Sequence, residues 1–157
     1  MQSMPQHPNT LPDTVTTEII ATDDAGRARA QRILALYELI STNPTLDGIR
    51  DYIADDYVQH SPMLPDGPVG VSMFFQAVVA QYPARIDVHR IMVIGDWAMA
   101  HVNFRNLNTD DPEDLGMAGV DIYTFGPDGK LTEHWDAVQQ VPATSTNPNG
   151  MFLKVRG

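Results

Sequence analysis

Residues 119–140, GVDIYTFGPDGKLTEHWDAVQQ, predict a β-hairpin and contain the clearest structural signal in the chain. Residues 126–129 at its centre, Gly-Pro-Asp-Gly, are typical of a tight turn, because proline presets φ and glycine accepts a positive φ. β-prone residues flank the turn on both sides. Aspartate is uncommon in strands, so the placement of Asp121 and Asp136 there needs an explanation.

The register of this hairpin determines whether the two aspartates can act together. A loop of two or four residues places Asp121 opposite His134, with Asp136 as a diagonal neighbour on the same face. A three-residue loop with a glycine bulge places Asp121 opposite Trp135 and sends the aspartates to opposite faces. In a third interpretation both are solvated residues of an exposed face. The sequence leaves these alternatives open.

Length and composition indicate one compact domain. The chain has 157 residues, of which 43% are hydrophobic. Its net charge of −10 disfavours nonspecific binding to nucleic acid or to an anionic membrane. The absence of cysteine excludes disulfides and thiolate catalysis. The first twenty residues lack a basic and then an apolar region, and no apolar run reaches transmembrane length, so we expect a cytoplasmic protein without a signal peptide.

The N-terminal residues 1–22 are rich in proline, threonine and other polar residues, and we expect them to form an arm outside the core. Its apolar residues, which are suited to packing on a partner subunit, are Leu11, Val15, Ile19 and Ile20. Regular structure is expected to begin near residues 22–24, where Thr-Asp-Asp offers an N-cap and negative charge for a helix.

The rest of the chain predicts an α+β domain over residues 23–142, followed by a C-terminal tail at 143–157. Hydrophobic spacing predicts helices over residues 23–43, 46–54 and 69–81. An extended segment at 57–60 and a proline-rich loop separate the last two. Strands are predicted over residues 85–94, 97–107, 115–125 and 131–141. This order places three N-terminal helices on one face of a curved antiparallel sheet.

Four short motifs follow one another along the chain: DYVQHSP at residues 56–62, VDI at 120–122, DGK at 128–130 and EHWD at 133–136. In this order and spacing they resemble the SnoaL-like polyketide cyclase group of the NTF2-like superfamily, over residues 27–142. The resemblance implies an NTF2-like cone whose open end is a ligand cavity between sheet and helices. This fold hosts cyclases, isomerases, epoxide hydrolases, dehydratases and non-catalytic binders.

The resemblance also ranks the carboxylates. Asp136 matches the aspartate that serves as acid and base in SnoaL-like cyclases, and structural hydrogen bonding is its main alternative role. Asp121 lies on the neighbouring strand, where the cyclases place another polar pocket residue. If both share the pocket, repulsion leaves one of them protonated and the other ionised.

Four further residues are candidates from the motifs and from strand alternation. His60 belongs to the His-x-Pro motif and is expected at the mouth of the cavity. His101 and Asn103 are two residues apart and share a strand face. The related epoxide hydrolases place an arginine and an aspartate at about these positions, so this chain departs from them. His134 either orients Asp136 or lies exposed.

The expected ligand-binding residues are Asn103, His134, Tyr57 and Phe74. No pair of residues has the compact spacing of a metal site, and no phosphate-binding or dinucleotide motif occurs in the sequence. We therefore expect neither a metal nor a bound cofactor.

These observations predict a SnoaL-like enzyme of enolisation chemistry that acts on a hydrophobic carbonyl compound by aldol cyclisation or isomerisation. Asp136 is expected to move the proton α to the carbonyl, while Asp121, His60 or His101 donates a hydrogen bond to the enolate oxygen. The alternative is a non-catalytic binding protein, and an epoxide hydrolase is less favoured. Apolar residues on the second sheet face need cover, and the resemblance implies that two sheets pair across a two-fold axis, so we expect a homodimer.

Overall fold

The computed structural model describes Asn9 and residues 13–157. In this part of the chain three helices pack on a curved mixed sheet of six strands, which confirms the α+β class. The elements are β1 Glu18–Ala21, α1 Asp24–Thr42, α2 Leu46–Arg50, β2 Ile53–Gln59, α3 Gly67–Val79, β3 Arg85–Ile94, β4 Trp97–Arg105, β5 Met117–Phe125 and β6 Leu131–Gln140. None of the described helices is long and apolar enough to cross a membrane.

Helix α1 forms where the sequence predicts it. The Asp23 side chain accepts a hydrogen bond from the Gly26 backbone at 2.7 Å and so caps the first turn. The helix ends just before Pro44, which cannot continue it. Its buried stripe, including Ile33 and Tyr37, packs against the sheet.

Helix α2 is shorter than predicted, because the chain joins the sheet earlier than the local pattern indicates. It ends at Arg50, and β2 begins at Ile53. The Leu131 backbone donates to the Tyr52 carbonyl at 2.8 Å, which ties this segment to β6. Pairing with β6 therefore replaces the predicted last turn of the helix.

The sheet is mixed, with strand order β1-β3-β4-β5-β6-β2. Strands β3 to β6 form the expected antiparallel meander, but both edge strands are parallel to their neighbours. The expectation of a wholly antiparallel sheet is wrong at these edges. A helix follows each edge strand before the chain reaches the strand that pairs with it, and such a crossover connection allows parallel pairing.

The N-terminal arm was expected outside the core, and this expectation is wrong for β1. Ile19 packs against the main core, and the Thr17 hydroxyl donates to the Val88 carbonyl at 2.7 Å. Backbone pairing with β3 therefore makes Glu18–Ala21 part of the sheet. Leu11 lies outside the described residues.

A bulge sets the register of the hairpin, and neither predicted register holds along its length. At the turn Phe125 pairs with Leu131, which is the register that would bring Asp121 opposite Trp135. Thr132 is then an extra residue, so that Thr124 pairs with Glu133 and Asp121 pairs directly with Asp136. Both aspartates therefore lie on the face that the helices cover.

The sheet thus has two distinct faces. The inner face, covered by the helices, carries the main core, including Ile91, Ala100 and Val102. On the outer face the C-terminal residues Val141 and Phe152 are buried against Ala118. The rest of the outer face exposes large apolar side chains, among them Met92, Ile94, Trp97, Met99 and Val120.

Candidate active site

An internal cavity lies between α1, α3, β2 and the inner face of the sheet. We call it the first chamber. Its walls are mainly aliphatic and aromatic, formed by Leu36, Ile40, Ile53, Leu64, Val71, Phe75 and Phe104. Its polar groups are Tyr37, Tyr57, Gln59, Asp121, Tyr123, His134 and Asp136. Most of these polar residues come from β2, β5 and β6, where alternation turns every second side chain inward.

Asp121 is held by several hydrogen-bond donors and is 1% exposed. The Tyr37 hydroxyl donates to its Oδ2, and the Tyr123 hydroxyl lies 3.4 Å from the same atom and 3.0 Å from the Tyr37 hydroxyl. Burial, and then the charge of Asp121, raises the pKa of both tyrosines, so both remain protonated donors. The carboxylate of Asp121 is therefore engaged within the protein.

His134 completes this network, and its neighbours define where its protons lie. The Ser61 backbone N–H donates to Gln59 Oε1 at 3.0 Å, which fixes that atom as the amide oxygen. His134 Nδ1 lies 2.7 Å from the same oxygen and must donate to it. The 3.1 Å contact between His134 Nε2 and Asp121 Oδ1 then requires a second proton on one of these atoms. The buried pair thus shares a proton and carries no net charge.

Asp136 differs from Asp121, although the two face each other across the strands. It is half-buried and lines the first chamber. Its carboxylate has no hydrogen bond or ion pair with any residue of the described chain, whereas Asp121 binds three side chains. Asp136 is therefore the carboxylate available to a ligand.

One carboxylate oxygen from each aspartate and one His134 nitrogen lie within 4.8 Å of one another. Such a set can in principle hold a divalent cation. An ion there would have to displace the proton between Asp121 and His134, because the facing atoms of these residues already bind each other. Absence of a metal remains a prediction.

Asp136 also lines an adjoining cavity, which we call the second chamber. Both chambers share Leu64, Phe75, Phe104 and Asp136. The second chamber is further lined by Ser61 and by Phe74, whose ring packs edge-on against Phe75. Tyr57, His134 and Phe74 are thus placed by the structure at the cavities where the sequence analysis expects ligand contacts.

His60, His101 and Asn103 lie away from both chambers, contrary to the sequence-based expectation. The His60 ring stacks on Trp135 at 4.9 Å, and its Nε2 lies 2.7 Å from Glu133. His101 is on the outer sheet face beside Arg90, and burial with this positive charge lowers its pKa. Asn103 is buried on the same face and lies opposite Asp87 of the neighbouring strand β3. Strand alternation turns His101 and Asn103 outward together.

Four polar residues of the two chambers were not predicted from the sequence. Tyr123 is two residues after Asp121, and Gln59 is two residues after Tyr57, so alternation alone could have placed them on the same faces. Ser61 lies within a motif that was noted for His60. Tyr37 belongs to the apolar stripe of α1, and no local signal distinguishes it from an ordinary core residue.

The fold and this site define a small α+β cone with a carboxylate-containing internal cavity. The model of the SnoaL-like domain matches residues 33–134, about two thirds of the chain. The chain therefore belongs to the SnoaL-like family, as the motifs predict. No curated protein sequence matches it.

Solved structures of similar fold include members of the same broad group. A protein from Bacillus cereus assigned as a polyketide cyclase has 17% identity and a TM-score of 0.63, covering 82% of this chain and 89% of its own. A protein from Agrobacterium tumefaciens assigned as an isomerase of the SnoaL-like family has 13% identity and a TM-score of 0.56, with coverage of 71% and 98%. A steroid delta-isomerase from Pseudomonas aeruginosa has 20% identity and a TM-score of 0.52, with coverage of 74% and 81%. At such identities the likeness shows the fold alone.

Proposed function

We propose that this protein is an enzyme that moves a proton α to the carbonyl group of a hydrophobic compound, leading to aldol cyclisation or isomerisation. The observation that carries the proposal is the Asp136 carboxylate, which is half-buried and unpartnered in the described chain and lines a cavity whose walls are mainly apolar. Similar folds in a steroid delta-isomerase and in an assigned polyketide cyclase support this class of reaction.

The proposed reaction begins and ends with a proton transfer. Asp136 takes the proton as the C–H bond breaks, and the electron pair moves to the carbonyl oxygen to form an enolate. In an isomerisation the same carboxyl group returns the proton to a different carbon. In an aldol reaction the enolate carbon first attacks a second carbonyl carbon, which forms the C–C bond and moves the π electron pair of that carbonyl to its oxygen, and the carboxyl group then gives the proton to the resulting alkoxide. The transfer moves the negative charge from the Asp136 carboxylate to the enolate oxygen, and the apolar walls limit the access of water during this exchange.

The Asp121–His134 pair gives the two carboxylates different roles. Because this pair is neutral as a unit, Asp136 has no uncompensated charge opposite it. An uncompensated carboxylate directly opposite would favour protonation of Asp136, and the protonated acid cannot act as the base.

Deuterium exchange in 1-phenylbutan-1-one tests the proposal without knowledge of the natural substrate. Proton NMR in D2O follows loss of the proton signal α to its carbonyl. We expect wild type to exceed the buffer rate, and Asp136→Asn to reduce the enzymatic rate by roughly 10²- to 10⁴-fold, because the amide cannot act as the base.

The matched control is Asp55→Asn, which changes an exposed aspartate that pairs with Arg50. This variant should exchange the ketone at the wild-type rate. Exchange at the buffer rate in wild type, or equal rates in wild type and Asp136→Asn, would count against catalysis and favour the alternative of a non-catalytic binder.

An epoxide hydrolase remains less favoured. No arginine lines either chamber within the described residues, and His101 and Asn103 lie on the other sheet face. A positive group that could support two charged carboxylates is thus missing from the described cavity walls.

A further inference from the structure

The two chambers meet at Asp136, which lies between them rather than at the end of either. Leu64, Phe75 and Phe104 are common to both, so the carboxylate faces a continuous apolar surface with space on each side. A ligand whose reacting carbon contacts Asp136 would therefore extend into both chambers. Each chamber also contains one hydroxyl group whose hydrogen is not engaged within the described protein.

In the first chamber this hydroxyl belongs to Tyr57, which is 5% exposed. Its oxygen accepts a long hydrogen bond of 3.4 Å from Gln59 Nε2, and no described residue accepts a bond from its hydrogen. The orientation of the Gln59 amide is fixed by the bonds of its oxygen to Ser61 and His134. Burial, and then the charge of Asp121, raises the pKa of Tyr57, so its hydroxyl remains a donor.

The other polar groups of the first chamber have their donors engaged. The Tyr37 hydrogen is used on Asp121, and the Tyr123 hydroxyl lies within this same buried cluster. Both ring nitrogens of His134 face acceptors inside the protein. The histidines expected to donate to the enolate, His60 and His101, are elsewhere. Tyr57 is therefore the free hydroxyl donor of this chamber.

In the second chamber the free hydroxyl belongs to Ser61. Its side chain is 3% exposed, and its Oγ has no hydrogen-bond partner among the described residues. A buried hydroxyl without a partner costs free energy, so a ligand oxygen that satisfies it gains affinity. Ser61 is one of the residues that line the same cavity as Asp136.

We infer that the Tyr57 and Ser61 hydroxyls bind two oxygen atoms of the ligand, one in each chamber, on either side of the carbon that faces Asp136. Tyr57 and Ser61 thereby fix which carbon lies at the carboxylate, and a hydrogen bond to a carbonyl oxygen also stabilises the enolate that forms there. The role of Asp136 in this inference rests on the proposed function, whereas the binding of two oxygens does not.

Three compounds with the same carbon skeleton test the inference by binding alone. They are 1-phenylbutane-1,3-dione, 1-phenylbutan-1-one and butylbenzene, which carry two, one and no oxygens. Isothermal titration calorimetry should show that wild type prefers them in that order, by roughly 2- to 10-fold for each hydrogen bond. Tyr57→Phe and Ser61→Ala should each lower affinity for the dione by a similar factor.

Binding of butylbenzene provides the internal control for folding, since it uses neither hydroxyl. The double variant should bind all three compounds about equally, while the matched controls Tyr82→Phe and Ser41→Ala should keep the wild-type order, since neither residue lines a chamber. Asp136→Asn should lose proton exchange and still prefer the dione, which separates this inference from the proposed function. If wild type does not discriminate among the compounds, or if the double variant retains the full preference, the inference is wrong.

Discussion

The inner and outer faces of the sheet bury the same kinds of polar residue with opposite results. On the inner face Asp121 and His134 bind each other, and the neighbouring Asp136 is left open to a cavity. On the outer face His89 and His101 lie under the Phe152 ring, with centroid distances of 4.7 and 5.5 Å. Burial of a histidine or aspartate therefore does not by itself mark a site in this molecule.

The difference lies in what each unpartnered atom faces. His89 Nε2 is buried and has no described partner, but it is enclosed by packing. Burial, followed by the nearby His101, lowers the pKa of His89 to about 4, so the fold retains a neutral ring. Asp136, in contrast, lines two cavities and has no partner among the described residues. The inner face therefore differs from the outer face because its unpartnered carboxylate lines a cavity.

The largest effect on stability is expected from the inner-face network. Asp121→Ala would leave the buried His134 ring and the Tyr37 hydroxyl without their acceptor, at a cost of about 3–5 kcal/mol. Urea unfolding measures this loss. The matched outer-face change is Asp87→Ala, which removes the ion pairs with the partly exposed Arg85 and Arg105 and should cost about 1–2 kcal/mol. Equal losses would contradict the contrast between the faces.

A smaller effect is expected from the outer-face histidine, and it depends on pH. The ordinary pKa of histidine is 6.5, while that of folded His89 is about 4. Between these values the unfolded chain binds a proton that the folded chain does not, so the free energy of unfolding decreases as pH falls through this window. The loss approaches about 3 kcal/mol near pH 4.

Replacement of the ring by Phe isolates this contribution. His89→Phe can keep the stack on Phe152 and should flatten the decrease of the unfolding free energy between pH 6.5 and 4. Tyr82→Phe, which leaves every histidine in place, is the control and should retain the wild-type slope. Urea unfolding at several pH values measures both, and parallel profiles for wild type and His89→Phe would refute the assignment.

The mildest expected change for the fold itself concerns assembly. The exposed apolar residues of the outer face, including Ile94 and Trp97, form a surface suited to an isologous contact with a second copy. We therefore expect light scattering at micromolar concentration to give twice the 17.4 kDa chain mass. Trp97→Asp should shift the mass to that of one chain with little change in urea stability. A monomeric wild type would contradict the expected homodimer.

Patterns within single segments predicted much of the architecture. The four antiparallel strands and helix α1 follow from alternation and capping, whereas the expectation that Asp136 faces a cavity came from the family resemblance, since alternation left the register of the hairpin open. The partner of Tyr37 could not be predicted, because a helical tyrosine 84 residues before Asp121 gives no local sign of contact. The parallel edge strands were missed for a similar reason, since their partners lie far along the chain.

Thr132 shows how strongly the chemistry of the cavity depends on chain length at one point. A straight hairpin continued from the pair Phe125 and Leu131 would turn Glu133 and Trp135 toward the helices, and His134 and Asp136 toward the solvent. Because of the extra residue, His134 and Asp136 face the helices instead, and Glu133 and Trp135 face outward. In evolutionary terms, a single inserted codon outside the cavity is enough to convert one inner surface into another. A deletion at this bulge is therefore a second route, besides substitution of Asp136 itself, by which a relative could lose the cavity-facing carboxylate.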